Sequence, residues 1–285
     1  MTTTARHCRR GVAVLAALLA IVLGAAAAPA SAAPTQPEPE IIGGDPVPDG
    51  KYPFQAGVLD QRIQGNDYNK QYCGGSLITS QWVLTAAHCV TNNRGRPMRP
   101  KPLRAVVGRT VLSSNQGERF RILEVRVHPS YNPTTLANDA ALLRLDGTSS
   151  IAPIRVATSA DEGLEAPGTM LTVSGWGDTQ PGGGVTYPDR LEEVDVPVVS
   201  DADCQAAYAD DGGIHAPTQL CAGAEGIDSC QGDSGGPLFA TEPGGFVQVG
   251  VVSWGIGCAL ADFPGVYSEL NSQSIRSFIT ANTGA

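Results

Sequence analysis

A serine among glycines and a histidine beside a cysteine are the residues of this chain whose surroundings best suit chemistry. Ser234 lies in the run 232–237, Gly-Asp-Ser-Gly-Gly-Pro, where missing side chains let backbone amides come close to a substrate. His88 follows two alanines and precedes Cys89, so a disulfide at this cysteine would pin the histidine backbone. A histidine that takes the proton of a serine hydroxyl makes that hydroxyl a nucleophile.

The glycine-rich run also fits the pattern G-x-S-x-G, which marks the nucleophile of α/β-hydrolases. In that fold the histidine follows the serine along the chain, but no histidine follows Ser234 here. The apolar runs also lack alternating helices. The α/β-hydrolase interpretation is therefore excluded, and a histidine partner must come from upstream.

Short apolar or alternating runs, separated by Gly, Pro and Asn, recur along the chain and are typical of all-β barrels or sandwiches. The runs are Phe54–Leu59, Ser76–Ile78, Trp82–Thr85, Leu103–Val107, Phe120–Val127, Ala140–Leu145, Met170–Trp176, Leu191–Val199, Val247–Trp254 and Gly265–Leu270. Two stretches predict helices, Asp201–Tyr208 and Ser272–Ala281. A polar stretch over Asp146–Ser150 divides the runs into two sets of similar size, which predicts two β domains.

The composition agrees with a turn-rich, helix-poor globular protein. The chain has 34 Gly and 21 Pro in 285 residues, and 16% of its residues are charged, against about 25% in average usage. Its net charge of -9 offers no overall electrostatic attraction to nucleic acid. We therefore expect no nucleic-acid partner.

Residues 1–32 have the layout of a secretory signal peptide. Arginines precede an apolar run over Gly11–Ala28, and Ala30-Ser31-Ala32 fits a cleavage site. A membrane anchor is the alternative, because the run reaches the lower length limit of a spanning helix. The cleavage pattern and the lack of a second such run favour a signal, and thus a secreted protein that leaves the membrane after processing. The pair Arg9-Arg10 is a weak hint of twin-arginine export.

Residues 33–40, Ala-Pro-Thr-Gln-Pro-Glu-Pro-Glu, contain nothing that can pack into a core. The composition of a globular domain begins at Ile41 and continues to the C-terminus. We therefore interpret 33–40 as a short propeptide and 41–285 as the functional domain.

Six cysteines remain after removal of the signal: Cys73, Cys89, Cys204, Cys221, Cys230 and Cys258. An even number in an exported protein predicts disulfides, but these residues alone do not choose the pairing. Metal binding is the alternative, and the absence of C-x-x-C or H-x-x-x-H spacing argues against it.

Several segments, in the right order, resemble those of secreted trypsins of the chymotrypsin family of serine endopeptidases. They are Ile41–Gly44, Cys73–Ile78, Thr85–Cys89, Asn138–Leu142, Ser174–Gly177, Asp228–Pro237 and Ser253–Gly255. The resemblance covers the chain from residue 41 onwards. It implies two six-stranded antiparallel Greek-key barrels with the active site between them, the first ending near 147 and the second spanning about 150–270, plus a C-terminal helix near 272–281.

The order His88, Asp139, Ser234 is the order of the catalytic triad in that family. The resemblance implies that His88 takes the serine proton and later protonates the leaving amine, while Asp139 fixes the histidine tautomer. Backbone N–H groups of Gly232 and Ser234 would hold the oxyanion. A side chain at position 232 is expected to crowd the substrate carbonyl.

Asp228 would occupy the floor of the primary specificity pocket and favour Arg or Lys before the scissile bond, because a buried carboxylate without a cation is costly. Gly255 and Gly265 match the pocket walls, and the backbone of Ser253–Gly255 would pair with the substrate strand. Chymotrypsin-like or elastase-like preference is the alternative that Asp228 argues against.

The resemblance also implies disulfides between Cys73 and Cys89, Cys204 and Cys221, and Cys230 and Cys258. A set this small is more typical of the bacterial branch of the family. Proteins or peptides are the implied substrates of what we expect to be a monomer, and proteinaceous protease inhibitors are further candidate partners. No cofactor is implied.

Activation in the family proceeds by cleavage before the segment that starts at Ile41, whose new α-ammonium pairs with Asp233. Here the preceding residue is Glu40, where the family usually has Arg or Lys. The sequence therefore predicts that the enzyme does not activate itself efficiently and needs a protease that cuts after glutamate.

No metal site is expected. Calcium-binding trypsins supply two glutamates from a loop of the first barrel, whereas the corresponding stretch here begins Gly108-Arg109 and retains only Glu118. One carboxylate with an arginine nearby makes a poor site for a hard cation.

Two rival functions remain at the level of sequence. One is a protease-like binding protein that has lost catalysis, which the intact His88, Asp139 and Ser234 argue against. The other is a surface protein held by an uncleaved signal anchor.

Overall fold

The computed structural model describes residues 41–180 and 186–285. The predicted signal peptide (1–32) and propeptide (33–40) lie outside the described residues. No helix in the described part of the chain is long and apolar enough to cross a membrane.

Six strands close the first barrel, and each pairs with its neighbours in antiparallel fashion. They are β2 (Gln55–Asp60), β3 (Gln71–Thr79), β4 (Trp82–Thr85), β5 (Leu103–Val107), β6 (Glu118–Val127) and β7 (Ala141–Leu145). Around the barrel the order is β2-β3-β4-β7-β6-β5. Apolar side chains such as Val58, Leu77 and Leu143 are fully buried inside it.

A second ring of six antiparallel strands follows in the chain. Its members are β9 (Met170–Gly175), β10 (Glu192–Val199), β11 (Gln219–Ala222), β12 (Pro237–Glu242), β13 (Gly245–Trp254) and β14 (Gly265–Glu269). Pairing of β9 with both β10 and β12 closes the ring. Two short strands lie outside it, β1 (Asp45–Pro46) against β10 and β8 (Arg155–Val156) parallel to β13. The expected fold of two six-stranded antiparallel barrels is confirmed.

Helices in residues 41–180 and 186–285 are few and short. They are α1 (Asp67–Lys70), α2 (Asp201–Ala207) and α3 (Gln273–Thr283). Ser272 caps α3 by accepting a hydrogen bond from the N–H of Ile275, as polar residues at this position commonly do. Ile275, Phe278 and Ile279 lie at helical spacing and pack into the same apolar cluster as the first barrel. The predicted C-terminal helix is therefore present.

Two strands of the second barrel, β11 and β12, were not predicted from the apolar runs of the sequence. β11 is only four residues long and shows no alternation, since all four residues are buried. β12 begins with Pro237 directly after two glycines. Proline is tolerated at the first position of a strand, but in sequence it looks like the end of a turn.

A proline-rich loop follows the 3₁₀ turn that comes after β4. A 3₁₀ turn spans His88–Val90, and the chain then runs through Pro97, Pro100 and Pro102 before β5 begins. The N–H of Met98 donates to the carbonyl oxygen of Val90 over 2.8 Å. This bond ties the loop directly to the turn that begins with His88.

Candidate active site

His88 and Asp139 come together at one end of the first barrel. His88 follows the end of β4, and Asp139 lies just before β7, the strand that pairs with β4. The two side chains are joined by His88 Nδ1 and Asp139 Oδ2, 2.7 Å apart. Asp139 Oδ1 also accepts the backbone N–H of His88 over 2.8 Å. The carboxylate thus holds the proton on Nδ1 and leaves Nε2 to act as a base.

Asp139 is fully buried and receives a third hydrogen bond from the hydroxyl of Ser253, at 2.6 Å from Oδ2. Its backbone carbonyl accepts from the hydroxyl of Ser268 over 2.8 Å. Sequence reasoning assigned Ser253 only a backbone role. The only signal for its hydroxyl was its place in the Ser-Trp-Gly segment, which does not show where a side chain points.

The pKa of His88 reflects two opposing effects. Burial by itself would lower this pKa, since it disfavours the charged imidazolium. The charge of Asp139 and its hydrogen bond to the ring outweigh burial, so that the pKa of His88 is raised above its ordinary value. A histidine tuned in this way is a base near neutral pH and an acid once it has taken a proton.

Ser234 lies in the loop that precedes β12, and this loop is hydrogen-bonded to both barrels. Its carbonyl oxygen accepts the N–H of Gly74 from the first barrel over 2.8 Å, while the next residue, Gly235, donates to Val252 of the second over 2.8 Å. Sγ of Cys89 lies 3.6 Å from this carbonyl oxygen and 3.7 Å from Nε2 of His88. The structure therefore brings all three predicted catalytic residues to one place.

Within the described part of the chain, the Ser234 hydroxyl makes no hydrogen bond to His88. Such contacts are often long or poorly aligned without substrate and tighten when it binds. The backbone N–H groups of Gly232 and Ser234 likewise donate to no acceptor among the described residues. Two unengaged donors next to a serine suit the binding of a developing oxyanion.

Gly232 is required for a reason that lies within the protein itself. Its backbone has a φ of 102°, which L side chains rarely adopt. A Cβ here would lie 3.0 Å from Cα of Gly177 and 3.1 Å from the ring of Tyr187. A side chain at this position would thus crowd the protein itself, and the expectation that it would also crowd the substrate carbonyl stays a prediction.

A cavity of about 160 Å³ opens beside Ser234 and contains the predicted specificity residues. Its lining includes Asp228, Ser253, Gly255 and Gly265 together with Ser234. Asp228 is only 3% exposed and accepts hydrogen bonds from the N–H groups of Ser229 (2.8 Å) and Ala259 (3.2 Å). Burial raises its pKa to about 7, although these two bonds oppose the shift.

The two glycines of the cavity wall have different surroundings. A Cβ on Gly265 would lie 2.5 Å from Oδ1 of Asp228 and would therefore collide with the carboxylate. A Cβ on Gly255 would meet nothing closer than 3.8 Å. Gly265 keeps the carboxylate accessible, whereas Gly255 leaves open space in the cavity.

Asp233 is buried one residue before Ser234. Its carboxylate accepts the N–H groups of Gly177 (2.7 Å) and Cys230 (2.9 Å), and burial raises its pKa to about 7. A Cβ on Gly177 would lie 2.3 Å from Oδ2 of Asp233, which explains the second glycine of the Gly-Trp-Gly segment. Ile41 is also fully buried and belongs to the core of the second barrel.

Three disulfides stabilise the segments around the site. They join Cys73 to Cys89, Cys204 to Cys221 and Cys230 to Cys258, the pairs that the resemblance implied. The first is next to His88 and the third lines the cavity of Asp228. Among the described residues, the one group of three potential metal ligands is Cys73, His88 and Cys89, and its sulfurs are committed to a disulfide.

The loop that holds calcium in calcium-binding trypsins does not fit a cation here. The buried guanidinium of Arg109 donates to the carbonyl oxygens of Gln116 (2.8 Å) and Leu112 (3.3 Å) and to Asp67 (2.8 Å). Glu118 instead accepts from the hydroxyl of Ser150 over 2.6 Å. The loop oxygens that a hard cation would need are already bound to an arginine.

We therefore expect millimolar calcium to leave the melting temperature of the protein unchanged, as measured by calorimetry with and without a chelator. Arg109→Met is expected to lower the melting temperature, because it removes the internal cation from Asp67 and from two loop carbonyls. A rise of more than about 5 °C on adding calcium, the size produced by a saturating ligand in a domain of this length, would contradict this prediction.

Comparison with known proteins agrees with this geometry. The family profile described as Trypsin matches residues 41–279. The chain is 37% identical to "Trypsin" of Saccharopolyspora erythraea over 248 residues, 86% of this chain and 100% of that protein. It is 38% identical to "Serine protease 1" of Rattus norvegicus over 261 residues, 90% of this chain and 94% of that protein. It is 36% identical to "Anionic trypsin" of Canis lupus familiaris over 273 residues, 93% of this chain and 98% of that protein.

These identities are so similar that they assign the chain to no branch of the family, and the bacterial branch stays a prediction. They do extend over nearly the whole length of each relative. Together with two closed barrels and a His, Asp and Ser brought to one site between them, they establish the family. The chain belongs to the trypsin family of serine peptidases.

Proposed function

We propose that this peptidase cleaves peptide bonds after Arg or Lys through an acyl-enzyme intermediate. The observation that carries the proposal is the buried carboxylate of Asp228 in the same cavity as Ser234. A cationic side chain in that cavity would supply the counter-charge that a buried carboxylate needs. The relatives named trypsin support the same substrate class.

The catalytic steps follow from the hydrogen bonds of the site. Nε2 of His88 takes the hydroxyl proton as Oγ of Ser234 bonds to the carbonyl carbon, and the oxyanion forms against the N–H groups of Gly232 and Ser234. The C–N bond then breaks as the imidazolium passes its proton to the leaving amine. Water repeats the sequence on the acyl-enzyme and releases the acid. Asp139 orients the ring throughout.

The rival functions lack comparable support. A chymotrypsin-like or elastase-like preference would place an apolar side chain against Asp228, whose raised pKa of about 7 shows how strongly burial disfavours its charge. An inactive binding protein would have no need for the hydrogen bonds that Asp139 makes to His88.

The decisive test is a panel of peptide amides that vary only in Arg, Lys, Phe or Ala before the scissile bond. We expect kcat/KM to be measurable for Arg and Lys alone and to vanish in Ser234→Ala. Turnover after Phe or Ala would refute the role of Asp228. No turnover by protein that starts at Ile41 would favour the binding-protein alternative.

We further propose that the protein is secreted as a zymogen, with 1–32 as the signal and 33–40 as the propeptide. The support lies in Asp233: its buried carboxylate has a raised pKa and lacks an ion-pair partner among the described residues. The α-ammonium created by cleavage before Ile41 is a group of the right charge to pair with it. That pair would hold Asp233 in place, and with it the neighbouring N–H groups of Gly232 and Ser234 that would bind the oxyanion.

Activation is expected to need a second protease. Incubating the proenzyme with a trace of mature enzyme should leave Glu40-Ile41 uncut, whereas a glutamate-specific protease should release the Ile41 terminus and activity together. Glu40→Arg is the matched control, and it should activate itself with a sigmoidal time course. Rapid release of the Ile41 terminus from the unaltered proenzyme by the mature enzyme would contradict the prediction.

A further inference from the structure

Charge is distributed very unevenly along this acidic chain. The fifty residues from Tyr68 to Gly117 contain seven Lys and Arg and no Asp or Glu, although the whole chain has a net charge of -9. Five of those seven cations lie in residues 94–104, the basic loop. They are Arg94, Arg96, Arg99, Lys101 and Arg104.

The basic loop also differs from other cationic positions in its contacts. Nine lysines and arginines elsewhere in the described residues form an ion pair with a carboxylate. Within the described part of the chain none of the five in the basic loop does. Arg94, Arg96, Arg99 and Lys101 are exposed, so their charge is uncompensated and faces solvent.

The basic loop borders a groove of about 630 Å³ on the first barrel. Arg96, Arg99 and Lys101 line this groove together with Gln61 and Arg62. Arg62 is paired with Asp60 at 2.7 Å, so the free positive charge comes from the loop. The bond from Met98 to Val90 fixes the loop to the His88 turn.

Two cavities border the loop that carries Ser234, and they indicate where the substrate residues before and after the scissile bond would lie. The Asp228 cavity and the end of β13 lie on the side of Ser234 that would receive residues before the cut. A separate cavity of about 420 Å³ shares no lining residue with the Asp228 cavity and borders the same loop at Gly232, where Tyr68, Tyr72 and Tyr187 also line it. Residues after the cut would leave through this second cavity.

The pairing of β2 with β3 brings the aromatic cavity and the groove of the basic loop close together. Gln71 of β3 lines the aromatic cavity and pairs with Leu59 of β2. Gln61, two residues after Leu59, lines the groove of the basic loop. Arg62 in turn lines the groove of the basic loop. A peptide that passes the aromatic cavity therefore reaches uncompensated positive charge.

We propose that the basic loop binds acidic side chains in the part of the substrate that follows the scissile bond. The proposal rests on the function proposed above and narrows it to substrates with an Arg or Lys at the cut and Asp or Glu several residues later. Exposed ion pairs are individually weak, but several uncompensated cations in one loop act on the same short segment. Their reach is about 8 Å at physiological salt.

The test uses fluorogenic peptides that share all residues up to an Arg at the cut. A pair of Glu is moved stepwise along the eight residues that follow, and a matched series carries Gln at the same positions. We compare the mature wild-type enzyme with the loop variant Arg96→Gln/Arg99→Gln/Lys101→Gln. The control variant Arg144→Gln/Arg155→Gln/Arg276→Gln changes the net charge equally at positions outside residues 68–117.

We expect the wild type to cleave the best Glu peptide with a kcat/KM about tenfold above its Gln counterpart at low salt, with one preferred position. This advantage should disappear in the loop variant, persist in the control variant and shrink at high salt. The Gln series should be cleaved equally by all three enzymes. That series also isolates the proposed function, since a failure to cleave after Arg would appear there first.

Three results would overturn the proposal. One is an equal loss of the Glu advantage in the loop and control variants, which would indicate a general effect of net charge. Another is an advantage that does not depend on position. The third is a loop variant that keeps the Glu advantage but no longer binds a DNA oligonucleotide, which would assign the loop to nucleic acid.

Discussion

Asp228→Ser is expected to lower kcat/KM for peptides with Arg before the scissile bond by about two to four orders of magnitude. Removing one partner of a buried ion pair costs about 3–5 kcal/mol, and each 1.4 kcal/mol corresponds to about a factor of ten. The loss should fall mainly on Arg and Lys substrates and much less on Phe. The peptide-amide panel measures both.

The same carboxylate predicts a pH dependence of cation binding. Because burial raises the pKa of Asp228 to about 7 in the free site, the group takes up a proton below that pH and loses its charge. The affinity for a small cation such as benzamidinium should therefore fall about tenfold per pH unit below 7 and level off above it. In Asp228→Ser the affinity should be weak and independent of pH.

A matched control separates loss of the pocket from loss of the fold. Asp228→Ser should still react at Ser234 with a small sulfonylating reagent at nearly the wild-type rate, because that reagent does not need the cavity. Retention of full activity on Arg peptides by Asp228→Ser would refute the assignment of the pocket.

Asp139→Asn is expected to lower kcat by about four orders of magnitude at neutral pH, the loss known for this substitution in a triad of the same kind. An amide can donate to Nδ1 of His88 and so favour the wrong tautomer, with the proton on Nε2. The fall in kcat should occur without unfolding, since the amide keeps the size of the carboxylate. Steady-state kinetics and the melting temperature together check this.

The pH profile of the residual activity gives the sign of the electrostatic effect. Asp139 raises the pKa of His88 against the opposing effect of burial, so its removal should move the acid limb of kcat/KM to lower pH. Ser253→Ala is the control, because it removes only the 2.6 Å bond to Oδ2. The kcat of that variant should fall about ten- to a hundredfold, which corresponds to the free energy of one hydrogen bond to a charged group. An acid limb that stays in place in Asp139→Asn would contradict the electrostatic argument.

Much of the site was accessible from sequence because its residues lie in short segments whose local chemistry is distinctive. Ser234 stands among glycines, and His88 is joined to a cysteine. The roles of Asp228 and Asp139 came from resemblance alone, since an acid in a loop has no local mark of burial. Their hydrogen bonds depend on partners far away in the sequence, such as Ser253 for Asp139 and Ala259 for Asp228.

The fold was predicted less evenly. β4 and β5 begin and end where the apolar runs do, and the ends of β5 are marked by Pro102 and Gly108. β11 was missed since a strand buried on both faces has no alternation to detect. Arg109 was expected from the sequence to hinder metal binding by the loop that begins at Gly108. Its hydrogen bonds to the carbonyl oxygens of that loop could not be predicted, because they depend on how the loop folds around the arginine.

The prolines of the basic loop have a consequence under the proposed specificity for Arg and Lys. Three exposed cations there, Arg96, Arg99 and Lys101, are each followed by proline, and no other Lys or Arg beyond residue 40 is. The proline nitrogen carries a ring carbon in place of hydrogen, so the ring would face the imidazole that must protonate the leaving nitrogen. The loop can therefore remain strongly basic without being digested by neighbouring copies of the enzyme, and Arg94-Gly95 is its one exposed bond left open to self-cleavage.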